Sequence, residues 1–308
     1  MMKLYIALTD YDWYKFLKDR AGLDEVNFWR PNPKGFGALK PGEPFLFKLH
    51  SPRDFIVGGG FFTYSSILPS SLAWQAFGEK NGAPTLEEKR RRIEKYRRSS
   101  PSVEDYSIGC ILLSQPFFFA ENRWISAPMD WKKSIQVGKT YDTTSDIGKN
   151  LWDNVLLRIR GRNDIDKSIL ATEPTERYGP ERTYRPRLGQ GSFRVIVTDA
   201  YRRRCAVTQE RVLPTLEAAH IKPYAESGPH DIGNGILLRS DLHHLLDAGY
   251  VTISPDYRFE VSRRIKEDFD NGEEYRQLHG SRLYLPASRN DYPSAEFVRW
   301  HNEVKYRG

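Results

Sequence analysis

The chain is poor in sulfur: its 308 residues include two cysteines, Cys110 and Cys205, three methionines and no CxxC pair. Two isolated thiols exclude a disulfide-stapled scaffold and a structural zinc site built from thiolates. They suit reduced, buried side chains in a cytoplasmic protein. Long apolar runs are also missing, so no segment is expected to span a bilayer and no membrane partner is expected. The opening MMKLYIALTDYDW has one lysine and a short apolar run broken by Thr9 and Asp10, unlike a secretory signal. Internal repeats and low-complexity tracts are absent as well, which argues against a solenoid or a largely disordered chain.

What is present is ordinary for a soluble globular protein: 39% hydrophobic, 28% charged and 13% aromatic residues, with a formal charge of +7. The length suits two domains with separate cores. The positive balance fits a polyanionic partner without requiring one.

Histidine is distributed unevenly. Of seven in the chain, His220, His230, His243 and His244 fall within Leu216 to Gly249. A β-tolerant run ending in Ala218-Ala219-His220 predicts a strand that stops before Pro223. Ser227-Gly228-Pro229 and Gly233-Asn234-Gly235 predict a loop of turn formers. Ile236 to Leu238 leads into a helix with Ser240 or Asp241 as cap, Leu242, Leu245 and Leu246 on its apolar face, and Gly249 as its stop. His243 and Asp247, four apart on that helix, share a face. A single histidine beside an apolar run is ordinarily a packing or surface residue. Asp247 has the alternative of being a plain helix-terminal acid, His244 points away from His243, and His230 receives no role.

The order His220, Asn234, His243, on strand, loop and helix, resembles the HNH nuclease motif, a ββα unit wrapped around one divalent metal. The flanking words Arg204-Cys205-Ala206-Val207-Thr208 and Leu238-Arg239-Ser240-Asp241-Leu242-His243 resemble the HNH branch found at the C-terminus of bacterial restriction endonucleases. The resemblance spans roughly residues 185 to 290. It implies that His220 is the general base that activates water, a task suited to an imidazole. It implies further that Asn234 orients this base through its carbonyl, and that His243 binds the metal with Asp247 as a further ligand. Magnesium is the default ion, with manganese, nickel or zinc also suited to a histidine ligand. Many members carry an Asp or His immediately before the base. Here Ala219 stands there, so Asp247, Glu217 or Asp241 must complete the ligand set.

The N-terminal half reads as short aromatic and β-branched strands: Lys3 to Leu8, Pro44 to His50, Asp54 to Tyr64 and Ile108 to Leu113, with a helix from Tyr11 after Asp10. Gly and Pro turns between such strands predict a small barrel with inserted helices. The words MKLYIALTD, KPGEPFLFKLH and IVGGGFF resemble the PUA-like superfamily, which includes EVE, YTH, ASCH and SRA domains. That resemblance implies a reader that flips a modified base, for example a modified cytosine, and stacks it on aromatic rings. Trp13 and Trp29, beside Asp10 and Tyr11, are the leading candidates, followed by Phe36, Phe61, Phe62 and Trp124. Most aromatics in a β-rich domain are core residues instead.

The helix predicted from Leu86 to Arg98 is strongly basic, so Arg90 and Arg91 could meet a DNA backbone or only face solvent. Arg187 and Arg203, in and after a Pro- and charge-rich stretch, are further candidates for phosphate contacts. The expected organisation is an α+β protein with a PUA/EVE-like reader over 1–165, a linker over 166–190 and an HNH nuclease over 191–308. Together the two resemblances imply a modification-dependent (type IV) restriction endonuclease acting on double-stranded DNA as a homodimer. An HNH enzyme cutting unmodified sequences and a non-cleaving DNA-binding sensor are the alternatives.

Overall fold

Residues 2–97, 105–160 and 188–308 are described by the computed structural model. They fall in two units, Met1–Pro186 and Arg187–Gly308. The linker expected over 166–190 lies outside the described residues as far as residue 187, and so does Arg187.

The first unit is built on strands β1 (Lys3–Thr9), β2 (Glu25–Arg30), β3 (Pro44–Leu49), β4 (Phe55–Pro69), β5 (Ser107–Phe118), β6 (Ile125–Ser126) and β7 (Gly138–Asp142). Its helices are α1 (Tyr11–Lys18), α2 (Ser70–Phe77), α3 (Leu86–Glu94) and α4 (Asp146–Arg160). The sheet order is β2-β5-β4-β3-β1-β7, with β6 added to β4. Among the described residues only β1 and β3 pair in parallel, in the register Tyr5↔Phe45 and Ala7↔Phe47; the other pairs are antiparallel.

Strand alternation divides the core between the two faces of this sheet. Ala7, Phe45, Phe47 and Leu49 pack with Trp13, Tyr14 and Leu17 of α1 on one face. Leu4, Ile6 and Leu46 pack with Leu151, Val155 and Ile159 of α4 on the other. Full burial of Phe45 and Phe47 contributes about 1.5–3 kcal/mol each. Gly58 is required where β4 crosses β5, since a Cβ there would lie 2.2 Å from the Phe117 carbonyl oxygen.

The barrel expected from the strand pattern does not close. Among the described residues β2 and β7 end the sheet without pairing with each other. The segment that follows α2 packs beside β2 instead: Trp29 Nε1 donates to the Asn81 carbonyl (3.0 Å) and Asn27 Nδ2 to Asn81 Oδ1 (2.9 Å). The helices inserted between β4 and β5 are as expected. The result is a mixed, open sheet with helices, of the α+β class.

The second unit contains helix α5 (Gln190–Ala200), strand β8 (Leu216–His220), strand β9 (Gly235–Arg239), helix α6 (Ser240–Asp247), and a hairpin of β10 (Val251–Ile253) and β11 (Phe259–Val261). Its core joins Phe193 and Val197 of α5, Ile236 to Leu238 of β9 and Leu242 and Leu246 of α6. The strand, loop and helix predicted around the histidine cluster are therefore present, and Gly235–Arg239 forms the second strand that the ββα resemblance implies. The expected cap of α6 is not: Asp241 forms a two-point ion pair with Arg239 (2.5 and 2.9 Å), and no side chain caps the helix.

Candidate functional site

Antiparallel pairing of β8 with β9 places His220 opposite Gly235, which brings the end of one strand beside the start of the next. Gly235 has no Cβ for a packing reason. One there would sit 2.4 Å from Val197 Cγ2 and 3.0 Å from the Phe193 ring, so α5 lies directly on the strand pair. That close approach seats Phe193 flat against His220, with ring centroids 3.9 Å apart and planes 9° apart.

Asn234 is fully buried and closes the intervening loop. Its Oδ1 accepts from the Lys222 N–H (2.8 Å), and its Nδ2 donates to the carbonyls of Lys222 (2.9 Å) and Pro229 (3.0 Å). Its main-chain carbonyl accepts from the Ile221 N–H (2.9 Å). Both oxygens are engaged by backbone amides, and the residue shapes the loop that surrounds the imidazole.

Closing the loop brings in a residue that the sequence reading left without a role. His230 Nδ1 lies 2.9 Å from His220 Nε2, and Tyr224 stacks on the His230 ring at 4.6 Å and 7°. Its only signal in the sequence is that it is a fourth histidine inside the motif. Burial, followed by the neighbouring charges of His230 and His243, pushes the His220 pKa down to about 4. His220 is accordingly a neutral imidazole at neutral pH, the form in which a histidine accepts a proton.

On α6, His243 faces β8. Its Nδ1 is 2.6 Å from Glu217 Oε2 and its Nε2 is 3.4 Å from Asp247 Oδ2. Glu217, His243 and Asp247 together supply two carboxylates and an imidazole, donors that divalent cations accept. As they stand, no three His, Cys, Asp or Glu among the described residues already form a group that could hold a metal ion. Of the acids offered in place of a ligand at Ala219, Glu217 meets His243, while Asp241 is paired with Arg239. His244 is exposed on α6.

In the first unit, a cavity of about 400 Å³ is lined by Asp10, Trp13, Trp29, Arg30, His50 and Tyr96, among others. Three of the four leading base-binding candidates thus line one cavity. Tyr11 does not, and its ring is covered instead by the Arg53 guanidinium at 4.0 Å. Phe36, Phe61, Phe62 and Trp124 also lie away from its lining. Trp13 is 3% exposed and packs edge-on against Phe47 at 4.9 Å, so it belongs to the core as well as to the cavity. Tyr96 donates its hydroxyl to Asp10 and stacks on His50. This contact and burial together raise the Tyr96 pKa, burial contributing most.

The basic surface expected of α3 is largely paired within the unit. Arg91 and Arg92 share Glu88, each at 2.8 Å, and their contacts pull the Glu88 pKa down to about 2. Arg90 reaches Asp105 at 3.5 Å, and Lys89 is buried and donates to the Ser70 carbonyl at 2.9 Å. Arg203 pairs with Asp199 at 3.2 Å.

Residues 205–254 match the family described as HNH endonuclease, a span that contains β8, the closed loop, β9 and α6. The chain thus carries an HNH endonuclease domain. That domain makes it a nuclease, a hydrolase of phosphodiester bonds, and HNH endonucleases generally depend on a divalent metal. None of the curated proteins matches the chain. Among solved structures it is similar to a "Modification dependent TagI restriction endonuclease", at 12% identity and a TM-score of 0.28, over 98% of this chain and 81% of that one. No described helix is long and apolar enough to cross a membrane.

Proposed function

We propose that this protein is a modification-dependent DNA endonuclease: the first unit holds a modified base, a modified cytosine foremost, and the second hydrolyses the phosphodiester. The observation that carries the reading is the pairing, in one chain, of an HNH domain with a cavity large enough for a base and furnished with indole rings and a carboxylate. An extruded base recovers its lost stacking on aromatic faces, at about 1–3 kcal/mol per ring, and needs a polar group to read its edge. Trp13 and Trp29 offer the rings and Asp10 the acceptor.

In the nuclease unit His220 is the general base. Support comes from its position at the end of β8, its neutral state and its shielding by Phe193 on one face. His243, Glu217 and Asp247 would hold a divalent ion, magnesium by default. The ion supplies charge stabilisation at the phosphate and at the departing 3′ oxygen. His220 takes the proton of the attacking water, and Asn234 keeps the loop closed while it does so. Cutting both strands of a duplex calls for two such sites, and hence a homodimer acting in the cytoplasm.

The test is cleavage of one plasmid prepared with cytosine, 5-methylcytosine or 5-hydroxymethylcytosine, in magnesium or manganese. Cutting confined to the modified forms is the expected result. Equal cutting of all three would leave a nuclease that acts on unmodified sequence, and no cutting under any of these conditions would leave a DNA-binding protein.

A further inference from the structure

The contact between His220 and His230 has only two proton arrangements when both rings are neutral. If His230 donates from Nδ1, His220 accepts at Nε2 and must carry its own proton on Nδ1. Neither nitrogen of His220 then has a lone pair for water. If His220 donates from Nε2, its Nδ1 lone pair is open and it is a base. The 2.9 Å separation of Nε2 and Nδ1 makes this choice unavoidable, because exactly one proton occupies the contact.

The surroundings hold both rings in place for that bond. Phe193 fixes the plane of His220, and Tyr224 fixes the plane of His230. Asn234 Nδ2 anchors the carbonyl of Pro229, the residue immediately before His230. The buried amide thereby holds the loop that carries the His230 ring.

From this geometry we infer that His230 is a positioning residue for the cleavage reaction: it accepts a hydrogen bond from His220 Nε2–H and so holds His220 in the tautomer whose Nδ1 can take a proton from water. The inference rests on the reading of His220 as the base. When His220 Nδ1 gains its proton, the Nε2–H···Nδ1 bond remains intact, so the ring keeps its orientation as it becomes cationic. A base left in the wrong tautomer loses most of its contribution to rate, and general-base catalysis is typically worth about 10²–10⁴-fold.

Two measurements on the full-length protein test this. The first is nitrogen NMR of the histidine side chains without metal or DNA. The wild type should show His220 protonated at Nε2 only, and His230→Ala should show a mixture of its two tautomers. The second is cleavage of a supercoiled plasmid carrying 5-methylcytosine or 5-hydroxymethylcytosine, whichever the wild type cuts. In His230→Ala kcat should fall by about 10²-fold with KM for DNA little changed, and added imidazole should restore part of it. His230→Gln, whose amide oxygen can accept in place of Nδ1, should recover more activity than Ala does.

An unchanged tautomer in His230→Ala, wild-type kcat in that variant, or a Gln variant as impaired as Ala would each overturn the inference. His220→Ala separates it from the reading beneath it. If His220→Ala is inactive while His230→Ala cuts normally, only the positioning role falls. If His220→Ala cuts normally, the assignment of the base fails and the positioning role fails with it.

Discussion

Glu217 on β8 and His243 on α6 meet at 2.6 Å, a carboxylate oxygen against the imidazole Nδ1, so the first strand and the helix of this unit are joined at the place proposed above for the metal. Ala219 offers no ligand, and Glu217 supplies a carboxylate from the same strand.

Whether Glu217 touches the ion or only holds His243, Glu217→Ala should raise the manganese or magnesium concentration needed for half-maximal cleavage by at least about 10–100-fold, the usual cost of losing a group that holds a metal-binding histidine. Asp241→Asn, which only loosens the pair with Arg239, should leave that concentration nearly unchanged. Titrating each variant with metal under otherwise constant conditions is the check. Equal shifts in both would remove the distinction between the two acids.

His220 makes the nuclease unit acid-sensitive in a defined direction. Its folded pKa is pushed from 6.5 to about 4. Between these values the unfolded chain holds a proton that the folded chain does not, so stability that is complete above pH 6.5 is lost as pH falls toward 4. Burial lowers the His301 pKa too and adds a loss of the same sign. Thermal melts from pH 7 to 4 should therefore show a smaller acid-induced fall in His220→Ala than in the wild type.

The cleavage rate should follow the same group. The acidic limb of a single-turnover rate profile is expected below the ordinary imidazole range. Burial, the largest cause of the lowering, remains in His230→Ala through the Phe193 contact, so the limb should stay below 6.5 in that variant too. A limb near 6.5 in the wild type would show that the base is more exposed to water than the Phe193 contact implies.

Trp29 is the better of the two indoles for testing the cavity, because Trp13 is also a core residue. Trp29→Ala should reduce the preference for modified over unmodified plasmid by about 10–100-fold, corresponding to about 1–3 kcal/mol of lost stacking. Its effect on the nuclease step itself should be small. A preference that survives the substitution would separate the cavity from recognition.

Gly82 provides a stability test of the same region. It has φ +79°, and a Cβ there would lie 2.1 Å from Trp13 Cδ1. Gly82→Ala combines left-handed strain with overpacking and should cost about 1–3 kcal/mol, lowering the melting temperature by several degrees. An unchanged melt would mean that the indole has room to move.

The nuclease unit was largely readable in the sequence because its signals are local. Strand, turn formers and helix are consecutive, and His220, Asn234 and His243 are separated by short, regular elements. What could not be read depends on cross-loop bonds. Nothing in the sequence around His230 shows that Asn234 will draw Lys222 and Pro229 together and deliver that ring to His220. The pairing of the α3 cations divides in the same way. Arg91 and Arg92 find Glu88 at helical spacing, which a sequence displays, but Arg90 finds Asp105 across an intervening segment, which it does not. Closure of the barrel was likewise a question of which distant strands pair. The aromatic and glycine pattern reports that strands exist, whereas β2 meeting β5, and not β7, is settled by long-range packing.

Gly235 contributes to the chemistry without touching it. Its single hydrogen sets how deeply α5 settles onto the strands, and only at that depth does the Phe193 ring cover the imidazole and keep solvent from that side. Adding one methyl group at this position would lift the helix, rehydrate the ring and return its proton affinity toward that of free histidine. The smallest side chain in the motif thus helps to govern how readily its neighbour holds a proton.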